Sequence, residues 1–149
     1  MNNHHASCVA FGRSGVLIRG ASGSGKSTLA LQLIDGEGFG LGQKRLRATL
    51  VADDQVILQQ KLRKLIASPP PALAGLIEIR GVGILPAKFK KFVTVKLVVE
   101  LLPASSIQRL PNSKEIEIDI EGVLFPRIAI AAHDTAAAAI LRAALHSVM

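Results

Sequence analysis

One short stretch constrains this chain more than any other. Gly20-Ala21-Ser22-Gly23-Ser24-Gly25-Lys26-Ser27-Thr28 fits the spacing G-x-x-x-x-G-K-[ST] of a phosphate-binding loop. Each residue type has a task. Gly20, Gly23 and Gly25 are expected to take positive φ and to let the backbone approach a phosphate without a Cβ in the way. Successive N–H groups then point inward and form an anion-binding nest. A helix that follows adds the partial positive charge of its N-terminus. Lys26 is placed to reach the β- and γ-phosphates of a nucleotide, and the Ser27 hydroxyl to ligate Mg²⁺. The flanks agree. Gly15-Val16-Leu17-Ile18 is apolar and predicts a strand, and Ser27 to Leu33 is rich in helix formers.

The chain has 149 residues, enough for one domain with a real core, and no linker or repeat divides it, so 1–149 is expected to be a single domain. Half of it is hydrophobic (49%), but with five Phe and no Trp or Tyr the core must be built from Leu, Ile, Val and Ala. Cys8 is the one cysteine, which excludes an internal disulfide and suits a reducing cytoplasm. No apolar run reaches the roughly 18 residues of a membrane span. The polar start, Met1-Asn2-Asn3-His4-His5, does not resemble a secretory signal.

A formal charge of +7 favours anionic partners. The basic residues are spread out, however, with small clusters at Lys44-Arg45-Arg47, Lys61-Arg63-Lys64 and Lys88-Lys90-Lys91. The aromatic platform of a single-strand binder is nearly absent. Nucleic acid is therefore not expected as a partner, and solvated basic faces or an acidic protein partner explain the charge as well.

Ser7 to Phe11 and Gly15 to Arg19 predict a β-hairpin, followed by the loop and a helix to about Asp35. The glycine-rich segment 36–42 predicts a loop. Further strands are expected at 48–52, 56–58, 76–80, 92–102, 116–120 and 123–130. The last is interrupted by Pro126 and so is expected at an edge. The segment 61–67 is ambiguous and ends at Pro69-Pro70-Pro71. Asp134 is a plausible N-cap for a final helix, 135–146. A doubly wound sheet needs helices between parallel strands, and none is expected between Asp54 and residue 135. The fold class is thus α/β: a strand-rich mixed-sheet sandwich around a phosphate-loop helix, with a C-terminal helix.

Asp53 and Asp54 end a hydrophobic strand downstream of the loop. That is where an acid sits to hold Mg²⁺, and a second carboxylate beside it is able to accept the proton of an attacking hydroxyl. Glu78 and Arg80 share one side of a strand, just before Gly81-x-Gly83. They fit either a metal and phosphate pair or a surface ion pair. His5 reads as a tail residue ahead of the first strand. His4, His133 and His146 have no metal-site spacing.

Together these pieces resemble the catalytic domain of bacterial HPr kinase/phosphorylase, from about His5 to Ile130. The most specific part is Leu76-Ile77-Glu78-Ile79-Arg80-Gly81-Val82-Gly83-Ile84, which is similar to the family's E-I-R-G-x-G-I signature. Val51-Ala52-Asp53-Asp54 resembles its acidic pair after a strand. His5 falls where the family's catalytic histidine precedes the same hairpin, and Gln108-Arg109-Leu110 resembles, more weakly, its catalytic-arginine segment.

The resemblance implies an ATP-dependent serine kinase acting on HPr, the phosphocarrier of the sugar phosphotransferase system. It implies ATP held by Lys26 and the loop amides, and Mg²⁺ served by Ser27, Asp53 and Glu78. Asp54 is implied as the base in phosphorylation and the acid in the reverse phosphorolysis, with His5 and Arg109 assisting around the phosphoryl group. It also implies a cytoplasmic homo-oligomer, a hexamer in the family, and a catalytic domain without the usual N-terminal domain. The chain departs from the pattern at three places. The stretch between Ser27 and Asp53 is longer. Lys88-Phe89-Lys90-Lys91 replaces a glycine-rich loop. Ala131-Ala132-His133-Asp134-Thr135 stands at the G-R-N motif tied to dephosphorylation. Kinase activity is therefore expected over phosphorylase activity, with Arg127 or Arg142 as possible substitutes for the lost arginine. The alternatives are a nucleotide-binding regulator with little catalysis, a small-molecule kinase, and a basic nucleic-acid protein.

Overall fold

The structure is a computed structural model and describes residues 2–149. The strands are β1 (Asn2–Phe11), β2 (Ser14–Gly20), β3 (Thr49–Ala52), β4 (Gln55–Lys61), β5 (Lys64–Ser68), β6 (Leu76–Ile79), β7 (Gly83–Pro86), β8 (Val93–Leu102), β9 (Glu117–Ile120) and β10 (Val123–Ala131). The helices are α1 (Lys26–Asp35) and α2 (Ala137–Val148).

β1 and β2 form the expected hairpin, with Phe11 opposite Ser14. β1 begins earlier than expected. Asn2 to His5 pair with Gln55 to Leu58 of β4, so His5 is a strand residue and not a tail. The pairing path β2-β1-β4-β5-β8 returns to its start because β8 also pairs, in parallel, with β2. A five-stranded ring results. β3 joins it on β1, and β10 on β8.

Two core clusters follow from the period of two along these strands. Val9 and Phe11 of β1, Val16 and Ile18 of β2, and Leu97, Val99 and Leu101 of β8 face α1 and α2. Ala6, Cys8, Ala10, Leu17, Val93, Val95 and Val98 join a second cluster that contains no helical residue and fills the space between the strands. β8 switches parity at a bulge. Gly15 lies opposite Val95 but Val16 lies opposite Leu97, so exposed Lys96 is skipped.

α1 buries Leu29, Ala30 and Leu33, and α2 buries Ala137, Leu141 and Leu145, a spacing of four that makes one apolar stripe. Truncating a fully buried leucine such as Leu33 costs about 2–5 kcal/mol. The glycine-rich segment between α1 and β3 is an ordered loop. Arg142 of α2, itself buried, ties it down by donating from Nε to Leu46 O at 2.7 Å and from NH2 to Gly36 O at 2.8 Å.

Four local expectations change. The ambiguous segment 61–67 is the β4–β5 hairpin, turned by Leu62 and Arg63 at φ 51° and 66°. β7, unassigned from sequence, pairs only with β6, and this two-stranded sheet stands apart from the ring. β10 is not an edge strand. It pairs with β9 from Val123 to Pro126 and with β8 from Arg127 to Ala131, so Pro126 falls where one ladder gives way to the other. Asp134 accepts from the Ala136 N–H at 2.8 Å, but the helix proper starts only at Ala137.

Candidate active site

The chain leaves β2 at Gly20 and turns into α1 at Gly25. Gly23 and Gly25 have φ 79° and 97°, the left-handed backbone expected of them. Gly20 does not, and the expectation of positive φ fails there. Its reason is space: a Cβ would stand 2.4 Å from Ser24 Oγ and 3.2 Å from Leu101. Lys26, 5% exposed, donates from Nζ to Gly20 O at 3.0 Å and Ala21 O at 3.2 Å. An ammonium has three protons, so one remains for a ligand.

Asp53, at the end of β3, is buried and gathers three donors. Ser27 Oγ donates to Oδ1 at 2.6 Å, Ser7 Oγ to the same atom at 3.0 Å, and the Glu78 N–H to Oδ2 at 2.9 Å. One carboxylate therefore links the phosphate loop, β1, β3 and β6. Ser7 also accepts from the Asp54 N–H at 3.0 Å. Asp54 is the middle residue of a γ-turn: its φ is 65° and the Gln55 N–H bonds Asp53 O at 2.7 Å. Its carboxylate thereby points to the surface, where His5 Nε2 lies 2.7 Å from Oδ1.

A cavity of about 380 Å³ opens over the loop. Ser22, Gly23, Gly25, Lys26, Ser27, Thr28, Asp54, Glu78, Arg80 and His133 line it. Glu78 of β6 and Arg80, the first residue after it, thus both line the cavity, as their shared side predicts. Several anticipated residues play other parts. Gly81 and Gly83, at φ 85° and 124°, shape the β6–β7 turn and do not line the cavity. Arg109 is exposed in the segment before β9 and is not brought to it. Nor are the two arginines considered as substitutes there. Arg127 pairs with Glu100 and donates to Glu115 O at 2.8 Å, while Arg142 holds the glycine-rich loop.

Two residues escaped the sequence reading. Ser7 is a fully buried hydroxyl in an apolar strand, and the need of such a group for a partner is the signal that points to it. His133 follows β10 at φ 63°, with Nδ1 3.4 Å from where a Cβ on Gly25 would stand. Nothing in its spacing marks it. His4 faces away: it lies 3.2 Å from Glu121 Oε1, and hydrogen bonds from Asn2 and then His4 hold that carboxyl below the usual range.

The family model described as HPr Serine kinase C-terminal domain matches residues 1–148. The chain belongs to that family. It is 36% identical over 115 residues to the HPr kinase/phosphorylase of Mycoplasma mycoides, covering 77% of this chain and 33% of the relative. It is 34% identical over 127 residues to that of Lacticaseibacillus casei, covering 78% and 36%. The chain thus spans about a third of the length of the curated relatives it matches. The structure of the HPr(Ser) kinase/phosphatase from Coxiella burnetii superposes with a TM-score of 0.80 at 27% identity, covering 99% of this chain and 95% of that one. The strand-rich α/β fold with its C-terminal helix is therefore the family's. No helix among the described residues is long and apolar enough to cross a membrane.

Proposed function

We propose that this chain is an ATP-dependent serine kinase that phosphorylates HPr or a related phosphocarrier in the cytoplasm, and so regulates the phosphotransferase system. One observation supports this reading most: the phosphate loop and Asp54 line one cavity, Asp54 is bonded to exposed His5 outside that lining, and buried Asp53 beside it is bonded to Ser27 of the loop.

The residues fit ATP with Mg²⁺. Ser27 gives its hydroxyl proton to Asp53, which leaves the oxygen's lone pairs free for a cation. Asp53 and the Glu78 carboxylate complete an oxygen-only donor set, the type that Mg²⁺ takes. Bound there, the ion would neutralise phosphate charge. Lys26 and the loop amides hold the phosphates, and Arg80 adds a positive charge in the same cavity. Asp54 accepts the proton of the acceptor serine hydroxyl while His5 fixes the carboxylate's orientation. The γ-turn keeps Asp54 off the strand and aimed at incoming substrate. Arg109 lies outside the cavity and is given no part inside it. Assembly into a homo-oligomer, a hexamer by resemblance, belongs to the same proposal.

The test is transfer of label from γ-labelled ATP to purified HPr, with the modified residue mapped by mass. Label on one serine supports the kinase. ATP binding without transfer would favour a nucleotide-binding regulator.

A further inference from the structure

Beside the main cavity lies a second of about 220 Å³. Gly25, Thr28 and His133 stand in the walls of both. Their chemistry differs. Lys26, Asp54, Glu78 and Arg80 line the first and not the second. The second rests on Leu29, Leu101 and Ala137, which are 3%, 4% and 5% exposed, and has Gln32, Asp134 and Thr135 among its polar lining.

The direction of a bound ligand follows from the first cavity. A phosphate to be transferred must lie beside Asp54, the proposed base. The remaining phosphates run along the loop amides. Whatever is attached to them must therefore leave on the side away from Asp54. The second cavity adjoins the loop through Gly25 and Thr28 and contains none of the transfer residues. Ligand pockets of about 300–1,000 Å³ take whole drug-sized molecules, so this one suits a fragment. An apolar floor with polar groups around it suits a flat ring that needs hydrogen bonds at its edge.

We infer that the second cavity seats the nucleoside of the phosphoryl donor. The base lies on Leu29, Leu101 and Ala137 with its edge toward Gln32, and His133 stands where the sugar joins the phosphates. Asp134 commits one carboxylate oxygen to the Ala136 N–H and keeps the other for a sugar hydroxyl. The inference rests on the proposed kinase reading. It adds that the segment after β10, where the chain departs from the family's G-R-N, recognises the donor.

The test is calorimetric titration of the full chain with Mg-ATP and, separately, Mg-tripolyphosphate, which has the phosphates and no nucleoside. Wild type should bind ATP at least about tenfold tighter, a difference of about 1.4 kcal/mol. Thr135→Trp puts bulk into the cavity from an exposed position. It should weaken ATP about tenfold and leave tripolyphosphate within about twofold. Gln32→Ala, on the exposed side of α1, should weaken ATP alone by about threefold or more. Equal affinity of wild type for the two ligands overturns the nucleoside seat and spares the phosphate loop. So does a loss that is the same for both ligands in the variants, or no loss in either. Failure of wild type to bind either ligand overturns the loop reading and this inference together.

Discussion

His5 Nε2 lies 2.7 Å from Asp54 Oδ1, and Asp54 is held there by a backbone conformation that few non-glycine residues adopt, φ 65°. The strain is maintained from two sides, by the Asp53–Gln55 turn bond and by Ser7, which accepts from the Asp54 N–H. Backbone strain of this kind costs about 1–3 kcal/mol and persists where surroundings over-determine it. Here the cost places a carboxylate at the mouth of the cavity, joined to a histidine 49 residues away in sequence.

Asp54→Asn should keep Mg-ATP binding and lose phosphoryl transfer by about a hundredfold or more, since the amide keeps the size and removes the proton acceptor. His5→Gln should cost less, because the histidine orients the base and does not replace it. Transfer within about threefold of wild type in Asp54→Asn would remove Asp54 from the role of base.

Ser7→Ala tests the buried link. The change leaves Asp53 with one donor fewer and the Asp54 N–H without its acceptor, which should cost about 1–3 kcal/mol of stability. Transfer to HPr should fall as well, because the γ-turn loses a support. Denaturant unfolding and the transfer assay on the same preparation would show both. A variant with unchanged stability and unchanged transfer would mean that the turn does not depend on Ser7.

Cys8, buried beside Ser7 on β1, gives a pH prediction. Burial pushes its thiol from 9.0 up to about 12. The folded chain then keeps a proton that the unfolded chain releases above its own pKa. This contribution to stability is complete below about pH 9 and is lost as pH rises from there toward 12. Cys8→Ala should flatten the alkaline decline in thermal stability. In the native state the thiol should resist alkylation at pH 8 and react only on unfolding. Rapid labelling of folded protein would contradict the burial.

Much of the site was legible because its residues are chemically specific. The loop spacing, the Asp53-Asp54 pair and the Glu78-x-Arg80 alternation each needed particular residue types in order; the loop, Asp54, Glu78 and Arg80 line one cavity, and buried Asp53 is bonded to Ser27 beneath it. What escaped depended on the third dimension. His5 looked like a tail residue because its strand partner, Gln55, is remote in the chain. Ser7 carries no motif and His133 figured only as a departure from one; the pairing of β1 with β3 and of β10 with β8 brings them to the site. The β4–β5 hairpin was hidden because Leu62-Arg63 takes the positive φ that Asn-Gly usually advertises. Pro126 pointed to an edge, since a change of ladder partners has no signal in the sequence.

The direction of reaction is the next expectation. Phosphorolysis must hold inorganic phosphate near a seryl phosphate, and two anions so close need extra positive donors. Lys26 and Arg80 line the cavity, whereas Arg127 and Arg142 are engaged elsewhere. By the resemblance drawn from sequence, His133 and Asp134 stand where the family motif has its arginine. With seryl-phosphorylated HPr, Mg²⁺ and excess phosphate, pyrophosphate release should be slower than the forward reaction. His133→Arg should raise it. Release as fast as phosphorylation in wild type would show that the motif's arginine is dispensable.

The most direct measurement is incubation of the full chain with γ-labelled Mg-ATP and purified HPr, beside Lys26→Ala. Lys26 is the buried ammonium at the centre of the loop, bonded to Gly20 O and Ala21 O. Wild type should transfer label to a single serine of HPr. Lys26→Ala should stay folded, lose tight ATP binding and transfer none. No label on HPr from a wild-type chain that binds ATP, or equal transfer by the variant, would contradict the proposed kinase.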